Sequence, residues 1–443
     1  MQLRFISILA CLGVAGRAAA QAPPAPSPTP PETSDEKPAD KPSVDDRLET
    51  LEDDLEDLQD ENKDLQEQLD DLRQRAAVRP PTPLNAMNPQ ITAFLNGATR
   101  FDDANVYTPD GSTRLDDRLF MRTMEVDFRA AVDPYADAVA ILALENEPGG
   151  GFEADLEEGY VIVKRLPILE SAPLGLKLKL GRYRAPIGSI NRVHMHDLPW
   201  TTRPLPIARL LGTENGEFFE SGFNAVGADA EVILPELIPN VVMELNADVV
   251  DGGDLAISDG SVHHPAYLAH YNAFFTVHDS HDFNIGASAY SEVGSLRAQL
   301  VGGDFLYKWK PLQAGEFHSV VLGGEVLAAR RTFRLDGDGD GTPDAVNLHS
   351  TPLAWYAFAQ YQLNWHVYVG GRYDYAQDIV DTSLATRVAA GYVSYYTSEF
   401  LRFRLGYEHR WSDIPAENGV DSVMAEVNVV FGSHPTEPYW VNR

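Results

Sequence analysis

Phe400-Leu-Arg-Phe-Arg-Leu-Gly-Tyr407 alternates from Leu401 onward: Leu401, Phe403, Leu405 and Tyr407 fall on one face, Arg402, Arg404 and Gly406 on the other. A period of two is the repeat of a β-strand, and so apolar a face opposite a charged one suits a wall between lipid and water. Leu174-Gly-Leu-Lys-Leu-Lys-Leu180, His366-Val-Tyr-Val-Gly-Gly-Arg-Tyr-Asp-Tyr375 and Val423-Met-Ala-Glu-Val-Asn-Val-Val-Phe431 repeat the pattern. One such stretch is a weak signal; a series of them is the signature of a barrel.

From Gln90 to Phe431, stretches of ten to fifteen residues rich in Val, Tyr, Phe and Leu recur, each closed by Asp, Gly, Pro or Asn. They predict about sixteen strands, near 90–101, 118–131, 135–147, 153–165, 174–183, 219–235, 240–251 and 267–278, then 281–294, 296–310, 317–331, 353–364, 366–376, 382–397, 400–411 and 421–431. The count is even, as bacterial barrels require. Short connections at Asp133-Pro134, Pro235 to Asn240, Asp279-Ser280, Asn364-Trp365 and Ser398-Glu399 alternate with mostly longer ones. Short turns facing the periplasm and long loops facing outward would place both barrel ends in the periplasm. The fold class read here is all-β, a transmembrane antiparallel β-barrel over 90–431. A soluble β-sandwich would alternate too, but with outward faces of Lys, Glu and Thr.

The chain before the barrel has another character. Arg4, the apolar run Phe5 to Val14 and Ala18-Ala19-Ala20 predict a signal peptide over 1–20. The single cysteine, Cys11, lies within it; a lipoprotein reading would need a longer apolar stretch before that residue. The remainder therefore carries no thiol, which removes disulfides and thiolate chemistry. Residues 21–43 form a Pro-rich, polar linker that buries too little apolar surface to fold. Over 44–75, Leu48, Leu51, Leu55, Leu58, Asn62, Leu65, Leu69 and Leu72 follow steps of three and four, predicting a coiled-coil helix in the periplasm that assembles several chains. A solvated single helix or a disordered acidic run is the plainer alternative. A linker over 76–89 with Pro80-Pro81-Thr82-Pro83 separates the helix from the barrel, and 432–443 is a tail.

With 66 acidic against 35 basic residues and a net charge of -31, nucleic acid is excluded as a partner. The partners expected instead are outer-membrane lipid, further copies of the chain as a homotrimer, and small anions or other small solutes.

Function in such a barrel is read from what lines and narrows the bore. The longest connection, Arg184 to Phe218, is the third outward loop, and a loop of that length is expected to fold inward as a constriction. It carries Arg184, Arg192, Arg203 and Arg209 with His194, His196 and Asp197 between them, and alternation puts Lys177, Lys179, Arg372, Arg387, Arg402 and Arg404 on the lumen side. Arginines in a narrow passage favour anions; equally, they can pair with lumen carboxylates such as Asp374, Glu408, Glu426, Glu125 and Asp127 and merely satisfy the wall. His194 with His196, and His263 with His264, offer imidazoles suited to zinc or copper, although neighbouring histidines in polar loops are more often solvated or hydrogen-bonded. Asp336, Asp338, Asp340, Gly341, Thr342 and Asp344 reproduce most of a calcium loop, with Asn347 where the bidentate Glu belongs, and predict a weak structural calcium in an extracellular loop; a flexible acidic loop is the alternative. No cofactor is required. Catalytic motifs are absent, so no enzyme is expected; Ser288 or Ser291 with His281 is a pairing that nothing in the spacing favours.

The stretch KLKLGRYRAPIGSINRVHMHDLPW, with the RPL and LLGTENG that follow, resembles the phosphate-selective porin family, in which a strand leads into a long loop with a G-x-x-N step, His and Pro. The resemblance is closer over Lys177 to Gly216 and looser over the barrel, and the N-terminal heptads before a barrel are also similar. It implies a sixteen-stranded, trimeric channel for small anions. The acidic balance, the lack of a terminal aromatic at Arg443 and the lack of a dense arginine ladder depart from that pattern. Two functions follow from the reading: a porin for passive diffusion of small hydrophilic solutes, leaning toward anions, or a non-transporting anchor tying the membrane to the cell wall through the coiled coil.

Overall fold

The computed structural model describes residues 89–432, apart from 108–113, 116, 147–150, 167–171, 213–216, 220–221, 261–263, 313–316 and 336–345. The signal, coiled-coil, tail and calcium-loop assignments, and His263, lie outside the described residues.

Sixteen long strands run in sequence: β1 Gln90–Asp102, β2 Arg118–Ala131, β3 Ala136–Asn146, β4 Phe152–Val163, β5 Lys177–Arg184, β6 Asn224–Ile233, β7 Val241–Asp251 and β8 Pro265–Val277. The second half comprises β9 His281–Glu292, β10 Arg297–Trp309, β11 Ser319–Phe333, β12 Leu353–Gln362, β13 Val367–Gln377, β14 Ala385–Ser398, β15 Leu401–Ser412 and β16 Val420–Gly432. Each pairs antiparallel with its sequence neighbours, and β1 pairs with β16 from Thr92↔Gly432 to Asp102↔Ser422. The sheet therefore closes on itself, and no backbone edge needs water or another chain. A closed ring is the arrangement in which strands can cross a bilayer, and among the described residues no helix is long and apolar enough to do so.

The sixteen strands sit where alternation predicts them, with one notable difference of boundary: β6 begins at Asn224, so the long third connection extends to Phe223. Outward positions carry Leu119, Leu142, Val161, Leu180, Val301, Phe403, Leu405 and Val423, all exposed. The apolar core is on the inner side of the ring. It joins loop residues Ile187, Ile190, Leu198, Trp200, Leu205, Ile207 and Leu211 to inward residues of the wall, including Leu268, Tyr290, Leu300, Leu327, Tyr356, Val388 and Tyr392.

That inner core corrects one assignment. Arg387 does not face the lumen: it lies opposite Tyr375 and Trp411 on the outer face, 5.6 Å from the Tyr375 ring and 3.8 Å from Asp413. The inward positions of β14 include Val388 and Tyr392, which are apolar because they pack in the core with the loop, so the usual polarity alternation is inverted at that point. Arg387 can tolerate the outward position because it lies near the strand end, where its stem follows the apolar wall and its head reaches polar surroundings.

The depth-dependent cost of charge on the lipid face gives a test. Leu405 lies midway along β15 and is exposed on the outer wall. Leu405→Arg is expected to lower unfolding stability in lipid vesicles by about 2–4 kcal/mol, measured by urea titration. An unchanged midpoint would contradict the assignment of that face to lipid.

Candidate functional site

The third connection folds into the ring and is tied at its base. Asn191 Nδ2 donates to the carbonyls of Ala185 (2.8 Å) and Phe223 (3.0 Å), while its Oδ1 accepts the Phe223 amide (2.9 Å), so one side chain joins the two ends of the loop. Before it, Gly188 turns with φ +61°, and a Cβ there would lie 2.2 Å from Glu325 Oε2. Only glycine fits both the left-handed backbone and that close approach. Glu325 on β11 then accepts the amides of Ser189 (2.9 Å) and Ile190 (2.7 Å) and the Ser189 hydroxyl (2.8 Å). The G-x-x-N step is thus a turn and a clasp.

Farther along, arginines of the wall hold the loop by its carbonyls. Arg402 Nη2 donates to His196 O (2.7 Å), Arg404 Nη2 to Leu198 O (2.7 Å), Arg122 Nη1 to Thr201 O (2.5 Å), and Arg372 Nη1 to Thr202 O (2.7 Å). Backbone carbonyls removed from water need such partners, and a guanidinium presents five donors in a fixed fork. The positive charges are themselves matched. Glu426 on β16 lies 2.6 Å from Arg402, 3.2 Å from Arg404 and 3.3 Å from Arg122. Asp374 pairs with Arg372 at 2.9 Å and also accepts the Leu205 amide at 3.0 Å, at the start of the short helix α1, Leu205–Leu210. Thr202 donates from its hydroxyl to Glu408. Trp200 packs between the rings of Tyr356 and Phe358 and the Arg372 guanidinium.

The other predicted cations are placed as follows. Arg184 pairs with Glu157 at 3.1 Å; Arg203, fully buried, donates to the carbonyls of Ile190 and Val193; Arg209 meets Glu417 at 2.6 Å. Lys177 pairs with Glu231 at 2.5 Å, and Lys179 stands over the rings of Tyr160 and Tyr183. Arg192 is different. It is exposed, with no hydrogen bond or ion pair among the described residues, and it acts electrostatically on Asp229, Glu244, His270 and Asp304. The arginines therefore do not form one free cationic ring. Most of them fasten the loop, and Arg192 stands exposed within electrostatic reach of Asp229, Glu244 and Asp304.

A second cluster lies where the loop meets β2 and β4. His194 Nε2 is 2.8 Å from Glu158, and its Nδ1 is 2.9 Å from Glu157 and 3.2 Å from Glu125. His196 Nδ1 is 3.0 Å from Glu125, its Nε2 is 3.5 Å from Asp197, and its ring stacks on Phe94 at 4.1 Å. Burial disfavours a proton on His194, but the Glu157 and Glu125 carboxylates outweigh it and raise the imidazole well above its ordinary range. For His196, burial is likewise outweighed by Glu125 and Asp197. At the end of the loop, burial opposes the charge on Glu217, yet Arg410, 3.3 Å away, and Arg209 bring its carboxyl down to about 2.

Ser288, Ser291 and His281 form no constellation. Ser288 Oγ accepts the Gly188 amide and meets His270, His281 bonds Tyr307, and seven residues of one strand separate Ser288 from His281, about 23 Å. Reading the sequence missed Arg122, Glu157, Glu158 and Glu325, and the clasp formed by Asn191. Arg122 and Glu157 sit at register shifts where an extra residue turns inward, so a strict period of two gives no signal for them.

No family model matches the chain, and no curated protein matches it. Solved structures resemble it in fold. The outer-membrane channel DcaP of Acinetobacter baumannii is 10% identical with a TM-score of 0.49, covering 77% of this chain and 97% of that one. OmpF of Salmonella typhi in complex with daunomycin gives the same four values. An anion-selective porin from Comamonas acidovorans is 10% identical with a TM-score of 0.46, covering 78% of this chain and 99% of that one.

Two measurements test the fastening. Glu426→Gln leaves three buried guanidiniums without their shared carboxylate and is expected to cost about 3–5 kcal/mol of unfolding stability; a loss below 1 kcal/mol would contradict the role given to Glu426. Glu217 tests the end of the loop by pH. Its folded pKa is depressed, so its contribution is present above the unfolded value of about 4.3 and is lost as pH falls toward about 2, amounting to about 3 kcal/mol at most. Amide exchange of loop residues near Glu217, corrected for the intrinsic rate, should accelerate over that window, and Glu217→Gln should remove the transition.

Proposed function

We propose that the chain is an outer-membrane porin through which small hydrophilic solutes diffuse passively, with the third loop setting the narrowest passage. The observation that carries this reading is the pairing of a lipid-compatible outer wall with an inward-folded loop that leaves one cation, Arg192, exposed within electrostatic reach of carboxylates of the wall. A closed sixteen-stranded ring is wide enough for an aqueous lumen. The signal sequence over 1–20 would export the chain, and the helix over 44–75 would gather three copies in the periplasm. Structural calcium at Asp336 to Asp344 would sit on the opposite, outward side.

Selectivity is narrower in origin than the arginine content suggests. Arg184, Arg203, Arg209, Arg372, Arg402 and Arg404 have carboxylate or carbonyl partners and contribute little free charge to a passing ion. Any anion leaning rests on Arg192, with Lys179 beside the passage, against Asp229, Glu231, Glu244, Asp248 and Asp304. Opposed charges across a passage orient polar solutes and weight both ions, so loss of the cation tips the balance toward cations.

The dense apolar packing of the loop, with Trp200, Leu205 and Ile207 fully buried inside the ring, favours a second reading in which the bore is closed and the barrel is an anchor. Planar-bilayer recording separates the two. The porin reading predicts stable conductance steps, and Arg192→Ala should shift the reversal potential in a salt gradient toward cation preference while leaving the steps intact. Absence of conductance from folded protein would replace the porin with the anchor; conductance with an unchanged reversal potential would remove Arg192 as the selectivity residue.

A further inference from the structure

We propose that Glu125, Glu157 and His194 form a site for one divalent transition-metal ion, of the zinc class, at the seam between the loop and the barrel wall. The ligand atoms are Glu125 Oε2, Glu157 Oε2 and His194 Nδ1, which all lie within 4.8 Å of one another. The three residues are buried, and they come from three separate elements: β2, β4 and the loop.

The geometry around the ligands supports this more than their number does. Glu158 stands 2.8 Å from His194 Nε2 and holds a ring proton there, so in the neutral imidazole the Nδ1 lone pair faces two carboxylate oxygens, at 2.9 and 3.2 Å. Three lone-pair-bearing atoms this close repel one another unless a metal cation, or a proton on Nδ1, sits among them. Glu125 Oε2 is buried, and the nearest polar atom recorded for it is His194 Nδ1, 3.2 Å away. The remaining atoms of each ligand are already oriented: His196 Nδ1 holds Glu125 Oε1 at 3.0 Å, Arg184 holds Glu157 Oε1 at 3.1 Å, and Glu158 holds the imidazole. Hydrogen-bonding partners behind the ligand groups are what fix metal ligands in place.

The bulge in β4 matters here. Ile141 pairs with Glu158 and Leu142 with Leu156, which leaves Glu157 as the extra residue, so Glu157 and Glu158 are both buried on the inner side. Strict alternation would send one of them to lipid. One imidazole nitrogen and two carboxylate oxygens suit Zn²⁺, with bonds of about 2.0–2.2 Å, better than they suit Mg²⁺ or Ca²⁺, which prefer all-oxygen sets. The competing occupant is a second proton on His194, making it an imidazolium, and the experiment distinguishes the two.

The full chain, folded in detergent and stripped with a chelator, would be titrated with Zn²⁺ alone and its bound metal measured by mass spectrometry after gel filtration. Wild type should retain one equivalent more than Glu125→Gln or His194→Ala, whereas Asp338→Asn should leave that equivalent in place. Glu158→Gln should weaken the affinity about 10–100-fold without abolishing binding. If the variants fail to fold, X-ray absorption at the zinc edge of the wild type loaded with one equivalent decides: a nitrogen and oxygen shell with scattering from one imidazole is expected. Equal retention by wild type and both ligand variants, no retention by wild type, or an edge spectrum with two imidazoles or none would overturn the site.

Discussion

A segment placed inside a barrel brings peptide carbonyls into a space where water is scarce, and each buried carbonyl left without a donor costs about 1–3 kcal/mol. In this protein the donors are arginines of the wall. Arg122, Arg372, Arg402 and Arg404 reach the carbonyls of His196, Leu198, Thr201 and Thr202. Those cations then need neutralising in the same confined space, which Glu426 and Asp374 do. The remaining features follow from that chain of requirements: positive charge is drawn from the bore into the scaffold, and the loop can rest its apolar side on β11 to β14.

The ring is consequently two-sided within. Toward β11 to β14 the inner wall is covered by the loop, with Trp200 seated on Tyr356 and Phe358 among the polar clasps of Glu325 and Asp374. Toward β6, β7 and β10 it bears Asp229, Glu244 and Asp304, within electrostatic reach of Arg192. Asn191 joins both ends of the loop, and Glu325 holds the turn at Gly188, so the loop is fixed at its root as well as along its length. A segment held at so many points is an element of the fold, and its charges are placed by the wall rather than by solvent.

The strands were legible because each needs only a period of two and a turn, both local signals: Leu401 to Tyr407 reads as wall from its own residues. The inward fold of the loop was legible from its length. What the arginines do was left open between free charge and pairing, because pairing depends on which strand stands opposite: Glu426 meets Arg404 only through the register of β15 with β16. Arg387 went to the wrong face because Val388 and Tyr392 are apolar for a non-local reason, the loop that covers them. Arg122 and Glu157 escaped notice because a bulge shifts the period by one. His194 and His196 stood out as paired imidazoles, but the three glutamates around them come from two strands more than thirty residues away in sequence.

All of this depends on the loop lying inside the ring against β15. Thr201 on the loop places its Oγ1 3.5 Å from where a Cβ would stand at Gly406, a spacing within reach of a disulfide. In a chain with Cys11 replaced by Ser, the double variant Thr201→Cys, Gly406→Cys should cross-link nearly completely on mild oxidation of the folded barrel, and reduction should reverse it. Two free thiols, both labelled by a water-soluble reagent under the same conditions, would show that the loop lies elsewhere and would contradict the account at its base.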